Sequence, residues 1–235
     1  MNIGTIVQVR MGSTRFPGKA LYEVKGKALL QYVIERVRRS RYGGHPVIAT
    51  SCEPSDDAIF DFCRRFGLEV FRGPLGDVAG RFEEVIRRYG FDAFVRVCGD
   101  SPLIDQALID RGCDIFDRGD FDIVTNTLHR TYPRGQSVEI VRSDVFRRTC
   151  SEIKTAEDSE HVTRFFYRNP HRFKIYNFQS LEDYGFMQLS VDTPEDMELF
   201  RLLVLQMDRP HWEYDVEALV RLYRSAKRKA DVAIL

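Results

Sequence analysis

Short apolar runs alternate with segments of helical periodicity along most of the chain. Residues 3–9 are mostly apolar, which is typical of a strand buried on both faces of a parallel sheet. Leu29, Leu30, Val33, Ile34 and Val37 then recur at helical spacing. The alternation continues with strands predicted at 46–50, 68–71, 92–98, 121–124 and 137–141 and helices at 56–66, 82–90, 105–116 and 144–150. It predicts an α/β fold with a doubly wound, mostly parallel sheet.

The pattern changes between residues 154 and 183. A charged segment at 157–163 leads into an aromatic-rich stretch and a strand-like run at 173–178, which we interpret as an excursion from the main sheet. The core pattern resumes at 187–191, where a further strand is predicted. Pro194 then suits the first turn of a long helix, and a last helix is predicted at about 215–228.

Length and charge limit the classes of protein that this chain can represent. With 235 residues it can form one domain over 1–235, and 35 basic residues balance 35 acidic ones. No global field therefore attracts nucleic acid or an anionic membrane. No apolar stretch reaches the roughly 18 to 20 residues of a membrane span, and the start lacks a signal-peptide pattern. We expect a cytoplasmic location.

The cysteines give no sign of a metal site or a disulfide framework. There are five, at wide spacings and without a C-x-x-C pair. Free thiols in a reducing compartment are therefore predicted.

The loop after the first strand is the best candidate for a ligand site. Residues 10–19 contain two glycines, a proline, small hydroxyl residues and the cations Arg10, Arg15 and Lys19. Glycine lets backbone N–H groups approach an anion, and Arg and Lys add charge-assisted hydrogen bonds. The loop is neither a dinucleotide-binding G-x-G-x-x-G nor a P-loop. It predicts a polyphosphate site, with an ordinary basic surface turn as the alternative.

Two aspartates each follow a predicted strand. Asp100 comes after 95–99 and Asp192 after 189–191. The carboxyl ends of parallel strands share one edge, so both carboxylates are expected at the crevice that the basic loop opens. Together they could hold Mg²⁺, which prefers oxygen ligands. Each aspartate alone could instead cap the helix that follows it.

These groups suggest a reaction if a nucleoside triphosphate binds there. Arg15, Lys19 and backbone amides would neutralise the phosphates, while Mg²⁺ on Asp100 and Asp192 would bridge the α-phosphate and an incoming hydroxyl. In-line attack would then expel pyrophosphate. Lys19, Asp100 and Asp192 are the predicted catalytic residues.

Other candidates are weaker. His161 could be a general base or a substrate contact, or only a histidine at a helix start. Arg134, Glu139 and Arg164 could contact a sugar, or form surface ion pairs. Cys98 precedes Gly99-Asp100, but a buried thiol at a strand end is commoner than a nucleophile.

The motifs together resemble the cytidylyltransferase family that makes CMP-activated acidic sugars. The resemblance is to the spore coat polysaccharide biosynthesis protein F type, and more distantly to 3-deoxy-manno-octulosonate and acylneuraminate cytidylyltransferases. The segments that carry it are 8–19, Gly73 with Asp77-Val78 and Arg81-Phe82, 99–104, 138–140, 160–163 and 191–196. Ser137 and Ser159 depart from the family pattern, which usually has Asp and a basic residue at these positions.

The resemblance implies a three-layer fold like that of nucleotide-diphospho-sugar transferases, with CTP as donor, Mg²⁺ on Asp100 and Asp192, and transfer of CMP to a sugar acid for polysaccharide or glycan synthesis. It implies a homodimer built partly through an excursion at about 130–185. Arg134, Glu139 and His161 are the predicted acceptor contacts. The resemblance implies triphosphate contacts from Arg10, Ser13, Arg15 and Lys19. The other predicted nucleotide contacts are Gln8, Met11, Gly12, Asp77 and Arg81.

Three other functions stay open. Another sugar nucleotidyltransferase would use the same residues with a different base. A metal-dependent glycosyltransferase could share the fold, although Asp100-Ser101-Pro102 lacks the second Asp of an Asp-x-Asp motif. A non-catalytic nucleotide sensor is the third, and loss of Lys19 or of either aspartate would have favoured it.

Overall fold

A seven-stranded sheet lies at the centre of the computed structural model, which describes residues 1–153 and 155–232. Its strands are β1 (Ile3–Gln8), β4 (Val47–Ser51), β5 (Glu69–Gly73), β6 (Ala93–Cys98), β7 (Ile123–Thr125), β8 (Glu139–Arg142) and β9 (Ile175–Asn177), and the short pair β2 (Glu23–Val24) and β3 (Lys27–Ala28) forms a separate hairpin. The order is β5-β4-β1-β6-β8-β7-β9. All neighbours are parallel except β8, which is antiparallel to β6 and β7. This confirms the predicted mostly parallel sheet.

Helices cover both faces of the sheet. They are α1 (Leu29–Val37), α2 (Asp57–Arg65), α3 (Val78–Tyr89), α4 (Gln106–Arg118), α5 (Ser143–Cys150), α6 (Ala156–Glu160), α7 (Arg164–Arg168), α8 (Pro194–Leu205) and α9 (Val216–Val232). Ile6 and Phe94 pack with α3 and α5 on one face, while Val7 and Val95 pack with α1 and α4 on the other. Strand side chains alternate between faces, so near-continuous apolar strands give the predicted three layers.

Two further findings concern the cysteines and the helices of the described ranges. The five thiols are free there, as predicted. None of the helices described is both long enough and apolar enough to cross a membrane.

The region after residue 154 corrects two predictions. The strand-like run at 173–178 does not leave the sheet, because β9 pairs in parallel with β7 and forms the sheet edge. Conversely, 187–191 is not a strand in the described structure and makes only an isolated parallel bridge between Arg134 and Gln188. Its apolar side chains are buried because Leu189 and Val191 pack under α8 and α9, not because they belong to the sheet. Lys154, where the predicted excursion began, lies outside the described residues.

A buried polar cluster ties α1 to the segment before α9. Arg36 is fully buried and donates to the carbonyl oxygens of Ile104, His211 and Tyr214. His211 Nε2 lies 2.8 Å from Glu35 Oε2. Burial lowers the pKa of His211 to about 4, and the charge of Arg36 adds to this, although the Glu35 hydrogen bond opposes it. His211 is therefore neutral in the folded protein at neutral pH.

We expect this histidine to make the protein acid-sensitive. Between pH 6.5 and pH 4 the unfolded chain binds a proton at His211 and the folded chain does not, so the free energy of unfolding falls as the pH drops. Wild type should lose roughly 2 kcal/mol more over this range than His211→Gln, which keeps a donor but does not titrate. Urea unfolding at a series of pH values measures this difference. Parallel losses in the two proteins would contradict it.

Candidate active site

A cleft of about 300 Å³ opens where β1 and β6 end. Several elements supply its walls: the loop after β1, the first turns of α3, the loop after β6, the end of α6 and the segment before α8. Nearly all of the predicted chemistry converges here. The predicted site residues on its lining are Gln8, Arg10, Ser13, Arg15, Lys19, Arg81, Asp100, His161 and Asp192.

The basic loop is held in a fixed turn. Met11 O accepts hydrogen bonds from Ser13 N at 2.9 Å and Gly18 N at 3.0 Å, which closes the loop on itself. Gly18 has a φ of 79°, a left-handed conformation that favours glycine, and it leads directly into the 3₁₀ turn of Lys19. The Met11 N–H is bound by Asp56 Oδ1 at 2.7 Å. This buried aspartate also accepts from Ser51 N, so the loop is anchored to the end of β4.

Lys19 joins the two predicted aspartates. Its Nζ lies 3.3 Å from Asp100 Oδ2 and 3.3 Å from Asp192 Oδ1, and it donates to Val191 O at 2.6 Å. The Lys19 side chain is only 10% exposed. A buried ammonium is stable only when it is paired, so the two carboxylates and the carbonyl hold this lysine at the base of the cleft.

Asp192 reaches the cleft by a different route from the predicted one. It does not end a strand of the sheet. Val191 N donates to Asp100 O at 2.8 Å, and this backbone hydrogen bond places Asp192 beside Asp100. Arg15 approaches Asp192 from the solvent side, and its Nη2 lies 3.0 Å from Asp192 Oδ1.

Neither Asp100 nor Asp192 is the N-cap of the helix that follows it. The Thr193 side chain accepts from Asp196 N and caps α8 in a capping box. Asp105 caps α4 by accepting from Ala107 N at 2.9 Å. Asp100 and Asp192 are therefore not needed for capping, and their carboxylates face the cleft.

The carboxylate pair fits the oxygen-ligand chemistry of Mg²⁺. The described residues contain no group of three or more His, Cys, Asp or Glu that could hold a metal by itself. Mg²⁺ is usually bound by one or two carboxylates together with substrate phosphates, and it keeps waters. Two carboxylates beside a basic loop are a suitable donor set for a metal that arrives with a triphosphate.

The opposite wall of the cleft carries an ion pair. Arg10 Nη2 lies 2.7 Å from Glu160 Oε1, and both side chains are partly exposed. His161 follows Glu160 and is exposed on the cleft lining. A phosphate that binds Arg10 would compete with Glu160 for the same guanidinium.

Glu139 lies under the cleft and is not on its lining. It is 3% exposed. Its Oε1 accepts from Thr163 Oγ1 at 2.7 Å and Tyr167 OH at 2.5 Å, and its Oε2 accepts from Arg96 Nη1 at 2.5 Å. Burial raises the pKa of Glu139, but Arg96 and the hydroxyl donors outweigh burial, so the pKa is lower than usual. With both oxygens occupied, Glu139 is not placed to contact an acceptor as predicted.

The remaining predicted residues lie around the cleft without lining it. Asp77 caps α3 by accepting from Gly80 N at 2.9 Å, and it also accepts from Ser159 Oγ. Arg134 is exposed on the segment that bridges to Gln188. Met11 packs partly against the core, and Gly12 is part of the basic turn.

Sequence reasoning missed three residues of the site. Arg96 and Glu160 bind the cleft residues Gln8 and Arg10, and Asp56 anchors the loop after β1 through Met11. Arg96 had a signal, because an arginine inside an otherwise apolar strand must find a buried partner. Asp56 had none, since it looks like an acid at the start of a helix, whereas Glu160 lies in the 160–163 segment that carries the family resemblance.

Cys98 lines the cleft but has no nucleophilic character. Burial raises the pKa of its thiol to about 11, so the thiolate is scarce at neutral pH.

Comparisons with known proteins agree with this geometry. A sequence model of the family described as Cytidylyltransferase matches residues 5–226. The spore coat polysaccharide biosynthesis protein SpsF of Bacillus subtilis is 34% identical over 208 residues, 84% of each chain. The 3-deoxy-manno-octulosonate cytidylyltransferase of Geobacter sulfurreducens is 43% identical over 112 residues, 47% of this chain and 43% of that protein.

A solved structure confirms the fold class. The structure of a cytidylyltransferase from Leptospira borgpetersenii serovar Hardjo-bovis superposes with a TM-score of 0.90 and 28% identity, covering 99% of this chain and 96% of that one. Fold and sequence agree, and the chain belongs to the cytidylyltransferase family of nucleotidyltransferases.

Proposed function

We propose that this protein uses CTP and Mg²⁺ to transfer CMP to a sugar acid, releasing pyrophosphate, and that the product serves polysaccharide or glycan biosynthesis. The observation that carries the proposal is the position of Lys19, between Asp100 and Asp192 and beneath the basic loop. This arrangement matches a substrate that brings phosphate oxygens and a divalent cation together.

The nucleotide half of the cleft would be bound by the loop after β1. Arg10, Ser13 and Arg15 line it, and its backbone turn is already fixed by the contacts of Met11. Preorganised donors do not have to reorganise during the reaction, so they stabilise the charge that develops on the phosphates.

The transfer step needs a nucleophile, a leaving group and charge neutralisation. A lone pair of a sugar-acid hydroxyl oxygen attacks the α-phosphorus as the bond to the β-phosphate oxygen breaks, and pyrophosphate leaves with that electron pair. The hydroxyl proton leaves to solvent. Lys19 would neutralise phosphate charge once its contacts with the carboxylates exchange. Mg²⁺ held by Asp100 and Asp192 would act as a Lewis acid and lower the pKa of the attacking hydroxyl.

Cations beside the cleft favour an acidic acceptor. Arg130 donates from Nη2 to Ser137 Oγ at 3.1 Å, while its buried Nη1 has no hydrogen-bond partner among the described residues. Burial lowers the pKa of Arg130, and the nearby charge of Arg134 lowers it further. A carboxylate would relieve both effects. The similar protein of Geobacter sulfurreducens is named for a sugar acid, 3-deoxy-manno-octulosonate, which supports the same class of acceptor.

We also propose that the protein is a homodimer through the segment around β9. Leu181, Phe186 and Tyr176 lie there, and each exposes a large apolar side chain to solvent. Analytical ultracentrifugation should give twice the 27.3 kDa of one chain, and Leu181→Asp with Phe186→Asp should shift the protein toward monomer. A wild-type monomer at micromolar concentration would contradict the proposal.

The function is tested by pyrophosphate release. Wild type with Mg²⁺ should release pyrophosphate from CTP when supplied with a member of a panel of 2-keto sugar acids that includes 3-deoxy-manno-octulosonate, and not with neutral hexoses. Asp100→Asn and Asp192→Asn should each lower kcat by roughly 100-fold or more, because each removes a carboxylate from the metal site. Their melting temperatures should change little, since Lys19 keeps one carboxylate and Val191 O.

Asp61→Asn is the matched control. It removes an exposed carboxylate from α2, away from the cleft, and should keep wild-type kcat. Full activity in both cleft variants would exclude the metal assignment. Pyrophosphate release with neutral sugars alone would exclude a sugar-acid acceptor.

A further inference from the structure

Gln8 ends β1, and its side chain belongs to a polar row that crosses four strands. In the sheet register Gln8 pairs with Cys98, Arg96 pairs with Glu139, and Glu139 pairs with Thr125. Arg96 lies two residues before Cys98, so these side chains share one face of the sheet. On the same face, the next side chains along these strands are apolar and are covered by α3 and α5. They are Ile6, Phe94, Ile123 and Val141.

The row fixes the orientation of the Gln8 amide. Arg96 Nε donates to Gln8 Oε1 at 3.0 Å. The reverse orientation would place the amide NH₂ against a guanidinium N–H, with no acceptor between them. Arg96 is held in turn by Glu139 at 2.5 Å, and Glu139 is held by Thr163 and Tyr167. A chain of side chains from α7 to β1 therefore sets which end of the amide faces the cleft.

The Arg96 hydrogen bond turns Oε1 toward β6, so Gln8 presents its NH₂ group to the cleft. It lies on the cleft lining with its Oε1 occupied by Arg96. Throughout residues 1–153 and 155–232, nothing accepts a hydrogen bond from its Nε2. A substrate atom that meets this NH₂ group must be a hydrogen-bond acceptor.

The position of Gln8 indicates which part of a nucleotide it meets. It stands two residues before Arg10, where the proposed triphosphate loop begins, and Val78 and Arg81 form the wall on the α3 side. Arg81 Nη1 donates to Pro74 O at 2.9 Å and so shapes the loop between β5 and α3. A nucleoside attached to the bound phosphates would lie between this loop and Gln8.

A fixed donor separates cytosine from uracil. The N3 atom of cytosine is an acceptor, whereas in uracil N3 carries a hydrogen. We propose that Gln8 Nε2 donates to cytosine N3, and that Arg96 and Glu139 are positioning residues that hold the amide in that orientation. This inference rests on the proposed use of CTP. With uracil, two donors would face each other and both would lose their hydrogen bonds to water.

The test compares the dissociation constants of Mg²⁺·CTP and Mg²⁺·UTP by calorimetry. Gln8→Glu is nearly isosteric and keeps an acceptor for Arg96, but it offers only an acceptor to the base. We expect the preference of wild type for CTP over UTP to fall by roughly 10- to 100-fold in this variant. Using the ratio of the two constants cancels the repulsion between the new charge and the phosphates. An unchanged ratio would overturn the assignment.

Two further variants separate positioning from folding. Gln179→Glu adds the same charge at an exposed site and should keep the wild-type ratio. The double variant Gln8→Glu with Glu139→Gln exchanges the amide and the carboxylate that contact Arg96. Its net charge equals that of wild type, and Arg96 keeps a carboxylate partner. It should keep a melting temperature near that of wild type and still lose the CTP preference. A retained preference in this double variant would overturn the assignment of cytosine recognition to Gln8.

The outcome also separates this inference from the proposed function. If wild type prefers CTP and Gln8→Glu does not change the ratio, only the assignment to Gln8 fails. If wild type prefers another nucleoside triphosphate or binds none, the proposed function and the inference fail together.

Discussion

The site depends on one ammonium group shared by two carboxylates. Lys19 is nearly buried, and burying an unpaired charge costs several kcal/mol in a real protein. Asp100, Asp192 and Val191 O offset that cost by surrounding Nζ at 2.6 to 3.3 Å. The same contacts bring three distant parts of the chain to one point: the basic loop, the end of β6 and the segment before α8.

The interaction also suggests how the site responds to its substrate. A lysine and a divalent cation would compete for the same two carboxylates, and a triphosphate would provide Lys19 with other anionic partners. Lys19 and Arg15 balance the charges of the two carboxylates, and a metal–nucleotide complex would replace each of these contacts with an equivalent one. Arg10 and Glu160 form a second pair of the same kind on the opposite wall.

Local patterns were enough to predict the sheet, because β1, β4 and β6 are apolar on both faces and their helices have clear periodicity. Local patterns misplaced two segments, because an apolar run looks the same whether it joins a sheet or packs under a helix. Residues 187–191 were wrongly predicted as a strand, and 173–178 were wrongly predicted to leave the main sheet. Asp100, Asp192 and Lys19 were predictable from residue type and position. Their junction was not, since it depends on the backbone contact between Val191 and Asp100. The role of Glu139 was also hidden, because a sequence cannot show that Arg96, Thr163 and Tyr167 occupy both of its oxygens.

The most direct measurement is a crystal structure with CTP and Mn²⁺, with the metal located by its anomalous signal. We expect one Mn²⁺ ligated by Asp100, Asp192 and triphosphate oxygens at about 2.1 Å, with Lys19 Nζ moved from the carboxylates to a phosphate. A metal bound elsewhere, or Lys19 still bridging both carboxylates with CTP in place, would contradict it.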